Sequence, residues 1–385
     1  MQTPISRRNT ARALACAAAL SMAGLAQAVT VSANRPQLSD STAANYTVAK
    51  YLARTGTIGS LSTDNWSPGG GVGSVSGFVP KYTVASDGTG THSTVQAAIN
   101  AASGSARVYI AVKPGTYRAV VCVPSGKPPI TLYSTNSDAS KTVLVYNNHA
   151  GKSKSSSSAA NACNPNIGST TYGTTGSASF TVAAYGFQAK NVTFANDFSE
   201  GSSSNNVQAV ALMTMADKML FENVRVLGNQ DTLFVSTGGY KVVARSYFKD
   251  SYIQGDVDFI FGRGTAVFQN CKIQYLSSRW GNNGNHIAPA TAAGNTYGFL
   301  FINSTFAKDS GTGTNAISYG RSWDESVSTG AYIAGTSPNG QAVIRESVIE
   351  GHIKLQAPWG ASTSGRSFSS SGNRFREYKN IGAGS

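Results

Sequence analysis

Short runs of alternating apolar and polar residues, broken by Gly, Asn and Ser, make up most of the chain, and one run recurs. Phe221-Glu-Asn-Val-Arg-Val226, Phe248-Lys-Asp-Ser-Tyr-Ile253, Phe268-Gln-Asn-Cys-Lys-Ile273, Phe301-Ile-Asn-Ser-Thr-Phe306 and Ile344-Arg-Glu-Ser-Val-Ile349 follow one template, with Ala189-Lys-Asn-Val-Thr-Phe194 a looser match. Each reads as a short strand. The third positions, residues 191, 223, 250, 270, 303 and 346, are 32, 27, 20, 33 and 43 residues apart. Self-similarity in that range predicts a solenoid or a propeller. A propeller needs four strands per blade at a steadier period. One template strand per repeat, with loops absorbing uneven intervals, predicts an all-β fold: a single-stranded right-handed parallel β-helix.

Upstream, Tyr82-Thr-Val-Ala85 and Arg107–Lys113 read as strands, and Thr94–Ala102 has helical apolar spacing. Arg7, Arg8 and Arg12 precede an apolar run, Ala13–Ala26, that ends in Ala26-Gln27-Ala28. That order predicts a signal peptide over residues 1–28. The run is too short for the roughly 20 residues of a membrane span. Either general or twin-arginine export is compatible with it, and a secreted, extracellular protein without a membrane anchor is expected. Residues 29–77 read as an N-terminal extension, with a short helix from Ala43 to Arg54 and a flexible Gly/Ser-rich loop at Ser67–Gly77. Residues 78–385 form the main domain, interrupted by a polar surface loop between Asn147 and Gly176.

Composition narrows the class. Of 385 residues only 13% are charged, 41 are Gly and 10% are aromatic. So few charges leave little to solvate the outer faces of a helical bundle, while the aromatic content excludes a wholly disordered chain. Three cysteines lie beyond the signal, Cys122, Cys163 and Cys271, which allows one internal bridge and one thiol. The four scattered histidines form no zinc-type spacing, and no Gly-x-Ser-x-Gly elbow occurs. Metal-hydrolase and serine-hydrolase readings lose ground accordingly.

The chemistry falls on two aspartates. Asp231 lies eight residues after Asn223 and Asp258 eight after Asp250. In-phase coils place both carboxyls on one face of neighbouring rungs, roughly 5 Å apart. Carboxyls that close do not both ionise cheaply, so one serves as base or nucleophile and the other as acid. Each alone reads equally well as a turn residue. Asp256 shares the even spacing of Asp258 and is set aside as a decoy. Gln230 and Gln208 are neutral donors suited to an oxyanion, although a strand Gln is more often a ladder residue. Gly320-Arg-Ser-Trp323 offers a cation fork for an ionised carboxyl and an aromatic face for a sugar. In isolation that pair reads as a surface cation–π contact.

Gln208-Ala-Val-Ala-Leu212, Gly228-Asn-Gln-Asp-Thr-Leu-Phe234, Val257-Asp-Phe-Ile-Phe-Gly262 and Gly320-Arg-Ser-Trp323 resemble the four signature blocks of pectin methylesterases. The flanking Val112–Tyr117, Lys127–Leu132 and Asn373–Asn380 are similar to further family segments, so the resemblance spans about residues 82–385. It implies a right-handed parallel β-helix that hydrolyses galacturonate methyl esters in pectin, with no metal and no other cofactor. By motif position it implies Asp258 as nucleophile, Asp231 as acid/base, Gln230 as oxyanion donor with Gln208 supporting the same region, and Arg321 as the holder of Asp258. It further implies substrate contacts for Trp323, Thr174, Phe234, Val257 and Phe261. Many relatives pair a cysteine at position 251 with the equivalent of Cys271. This chain has Ser251, so the resemblance implies a buried free thiol at Cys271 and leaves Cys122–Cys163 as the remaining pairing. Relatives usually carry Pro or Ala at Ser322 and Tyr at Phe234, and neither change removes a catalytic atom.

Residues 1–28 hold three basic residues and no acid, so their removal takes the formal charge from +13 to +10. A positive monomer suits a polymer that becomes more anionic as it is processed. No nucleic-acid motif accompanies the charge. A pectate lyase or polygalacturonase on the same fold, or a non-catalytic wall-binding solenoid, are the alternatives.

Overall fold

The third position of the repeat is where the chain turns a corner. In the computed structural model, which describes residues 32–154, 161–164, 168–201 and 206–385, Asn191, Asn223, Asp250, Asn270, Asn303 and Glu346 all have left-handed backbones, with φ between 49° and 59°. Asn and Asp reach that region more readily than other side chains because their short polar groups bond locally. Residues before each corner run in a ten-stranded sheet, and those after it run in an eight-stranded one. A seven-stranded sheet completes each coil. Within all three sheets the pairing is parallel, for example Arg245–Lys249 on Thr265–Gln269 and Lys272–Tyr275 on Thr305–Lys308. The fold is the expected right-handed parallel β-helix.

Sequence alignment and strand register coincide. Phe221 pairs with Phe248, Phe248 with Phe268, Phe268 with Phe301, and Phe301 with Ile344. The four rings stack through the core with centroids 4.6, 5.0 and 4.6 Å apart, a face of large buried area. The position after each corner carries a second ladder. The hydroxyls of Ser251, Ser304 and Ser347 donate to carbonyls two residues back, at 2.8, 3.1 and 2.8 Å. Each hydroxyl also accepts an amide from the preceding rung, from Val224, Cys271 and Ser304 in turn. Cys271 occupies the same row as a buried thiol, its Sγ 3.4 Å from the Gln269 carbonyl. Here Ser and Asn satisfy the backbone at corners that stacked strands leave open.

The helix Val95–Ala101, capped by Thr94 accepting from the Ala97 amide at 3.2 Å, sets Val95, Ala98 and Ile99 into the core beside the first coils. The expected signal peptide lies outside the described residues. Two details of the extension differ from expectation. The helix expected from Ala43 to Arg54 is divided into Asp40–Ala43 and Val48–Ala53, because Thr47 takes an extended backbone and caps the second piece. The Gly/Ser-rich stretch expected as a flexible loop is held against the outer wall. The Val72 amide donates to Glu222 at 2.6 Å, and Lys190 Nζ donates to the Gly73 carbonyl at 2.8 Å. Tyr51 and Leu52 are buried against Leu220, Tyr247, Val267 and Leu300 on that wall. The fully buried Arg245 bonds Asp64 at 2.7 Å and Asp217 at 2.6 Å, tying the extension to the coil. Cys122 and Cys163 form a disulfide that pins the insertion to an early strand.

Candidate active site

Along the seven-stranded sheet lies a cleft of about 610 Å³. Its apolar floor is Phe234 stacked on Phe261 at 4.3 Å, with Trp323 tilted against both at 6.0 and 5.7 Å. The rings line up because Leu233–Val235 and Val257–Gly262 pair in parallel, Phe234 opposite Phe261. Gly262 ends the second strand at φ +118°, where an added Cβ would fall on the Val235 carbonyl.

Asp231 lies two residues before Leu233–Val235 and Asp258 near the start of Val257–Gly262, on adjacent rungs and in phase. Both have left-handed backbones, φ 63° and 47°. Between Val257 and Ile260 the strand carries one residue more than its partner Asn285–Ile287. Such a bulge re-aims side chains: Asp258 lines the cleft while Phe259 is fully buried in the core. Three N–H groups converge on Asp258. Arg321 Nη2 donates to Oδ2 at 2.6 Å and Nε to Oδ1 at 3.1 Å. Asn285 Nδ2 donates to Oδ1 at 2.6 Å. A carboxyl facing only donors is held as an acceptor, the form of a nucleophile. The charge of Asp258, in turn, raises Arg321.

Asp231 is different. Only 9% of it is exposed, and burial pushes its carboxyl well above the usual range. The neighbouring charges of Asp258 and Glu200 push the same way, while Arg321 opposes them. A buried carboxyl that resists ionisation thus sits beside one bound by three N–H donors. Gln208 and Gln230 flank the pair in the cleft, as does Thr174 on the short helix Gly173–Gly176.

The structure brings together Asp231, Asp258, Gln208, Gln230, Arg321, Thr174, Phe234, Phe261 and Trp323. Val257 does not line the cleft; its carbonyl accepts the Asp231 amide at 3.1 Å. Arg321 clamps Asp258 rather than forming the surface cation–π contact that the isolated motif suggested. Asp256 does not share the face of Asp258: it precedes the strand and is fully buried against Arg279. Asn285, and the Arg263–Glu325 ion pair on the cleft wall, are absent from the sequence reading.

Fold and cleft define a class: parallel β-helix proteins with a carboxyl pair in a cleft along one sheet. A family model described as Pectinesterase matches residues 81–385. A Ralstonia solanacearum pectinesterase is 52% identical over 375 residues, covering 94% of each chain. The solved rice weevil pectin methyl esterase superposes with a TM-score of 0.80 at 34% identity, over 93% of this chain and all of that one. A pectin methylesterase solved in complex with a hexasaccharide gives 0.65 at 28% identity, over 80% of this chain and 91% of that one. The chain belongs to the pectinesterase family.

Proposed function

We propose that this cleft carries out the family's reaction, hydrolysis of galacturonate methyl esters in pectin to pectate and methanol, with Asp258 as nucleophile and Asp231 as acid/base. The observation that carries the assignment is the unequal carboxyl pair: Asp258 bound by Arg321 and Asn285, Asp231 buried beside it. An Asp258 oxygen attacks the C6 ester carbonyl, and the resulting oxyanion takes hydrogen bonds from the Gln208 and Gln230 amides. The tetrahedral intermediate collapses, the C–O bond to the methoxy group breaks, and Asp231 gives its proton to the leaving methanol. An acyl-enzyme anhydride remains on Asp258. Ionised Asp231 then takes a proton from water, whose oxygen attacks the acyl carbon. The bond between the acyl carbon and the Asp258 oxygen breaks, Asp258 returns as carboxylate with Asp231 again protonated, and the product leaves as the galacturonic acid unit, which gives its proton to solvent.

Trp323, Phe234 and Phe261 present apolar faces for sugar rings, and Thr174 a hydroxyl. Removal of residues 1–28 gives a secreted, extracellular monomer, in which residues 78–385 are catalytic and the extension braces the outer wall. Among the described residues no helix is long and apolar enough to cross a membrane. The product assay decides the class of reaction. Methyl-esterified homogalacturonan incubated with the protein releases methanol with no chain shortening and no unsaturated ends. Chain cleavage instead supports a depolymerase, and binding without product supports a wall-binding module.

A further inference from the structure

Behind the carboxyl pair, outside the lining of the cleft, three ionisable side chains are buried together. Arg279 Nε and Nη2 donate to the two oxygens of Asp256 at 2.7 and 2.8 Å. The same Nε lies 2.8 Å from Glu200 Oε2. The side chains are 6% exposed for Arg279 and 1% for each acid. Their attachments are specific. The other Glu200 oxygen accepts the backbone amide of Gln230, next to Asp231, at 3.2 Å. Asp256 stands two residues before Asp258, and its own amide donates to the Asn229 carbonyl at 3.2 Å. One guanidinium therefore ties the turn that carries Gln230 and Asp231 to the turn that leads into Asp258.

We propose that Glu200, Arg279 and Asp256 are positioning residues for the ester hydrolysis, fixing the two catalytic rungs against each other and keeping the proton on Asp231. The inference rests on the assignment of Asp231 as the acid. Its electrostatic half follows from sign. Burying a charged triad is expensive, and this one holds two acids for one base. Arg279 and Asp256 face Glu200 from behind; Asp258 and Arg321 face Asp231 from the cleft. Negative charge on Glu200 or Asp256 disfavours a second one on Asp231. Burial pushes Glu200 itself up to about 8, against the pull of Arg279, and the charges of both Glu200 and Asp256 add to the upward shift of Asp231. Glu200 and Asp231 consequently titrate as a coupled set.

Activity that needs protonated Asp231 falls as pH rises through the ionisation of that acid, which forms the alkaline limb of kcat/KM. Removing a nearby negative charge makes Asp231 ionise earlier. Asp256→Asn should move the alkaline limb to lower pH by about one unit, roughly a tenfold loss of kcat/KM on that side, whereas Glu200→Gln replaces a group that is neutral below about pH 8 and should move it less. Far-ultraviolet circular dichroism confirms the fold of each variant. A purely structural role would lower the plateau and leave the limb in place. A folded Asp256→Asn enzyme with its limb at the wild-type pH overturns the proposal. The underlying acid assignment is tested separately: Asp231→Asn should lose turnover across the whole pH range, whatever the triad variants do.

Discussion

Asp231 and Asp258 share a left-handed backbone and an offset of eight from the repeat corner, yet their surroundings drive them apart. Asp258 is bracketed by Arg321 and Asn285, while Asp231 is buried beside the acids Asp258 and Glu200. The fork of Arg321 matters as much as its charge. Arg321→Lys keeps the cation but loses the two-point grip on Asp258. One charged hydrogen bond is worth about 1.5–3 kcal/mol, so kcat/KM should fall roughly 10- to 100-fold, with unchanged thermal unfolding. Wild-type kcat/KM in that variant contradicts the clamp. The sequence exposed the aspartates because they repeat in phase and sit in distinctive blocks. Asn285 was not legible, since its reach to Asp258 depends on a bulge that phase counting does not register. Asp256 was set aside as a decoy, and the even spacing that would have put it on the face of Asp258 does not apply because the strand starts one residue later, at Val257.

At the scale of the element, corner residues set the register. Each template Asn, Asp or Glu lets the chain leave one sheet and enter the next, and the Phe and Ser rows on either side then stack rung upon rung. Asn303, at φ 51°, tests this directly. Asn303→Val places a β-branched side chain in the left-handed region and should cost about 1–2 kcal/mol, whereas Asn303→Gly, free of that clash, should cost less. Chemical denaturation midpoints for the two variants check the order, and Val equal to or above Gly contradicts it. This level was the most readable in the sequence, because a one-residue marker repeated at each corner. The antiparallel strands Arg54–Thr57 and Ser60–Thr63 were not read; they pair with each other, and the first also takes a distant partner, Val242–Val243. Gly and Ser at 67–77 suggested freedom, but contacts from Glu222 and Lys190 hold that stretch in place.

Across the whole molecule, the low charge count now has a structural cause. Stacked coils place alternate residues inside and close their corners with Ser and Asn, so few long charged side chains are needed. Several of the charges are spent internally: Arg245 with Asp64 and Asp217, Arg35 with Glu377, and Arg279 with Glu200 and Asp256. The formal excess of +13 favours approach of a polyanion. Everything converges on one carboxylate. Methanol release from methyl-esterified homogalacturonan should fall by about a thousandfold or more in Asp258→Asn, in a protein that unfolds like the wild type. Methanol release near the wild-type rate from that folded variant would contradict the assignment of Asp258 as nucleophile.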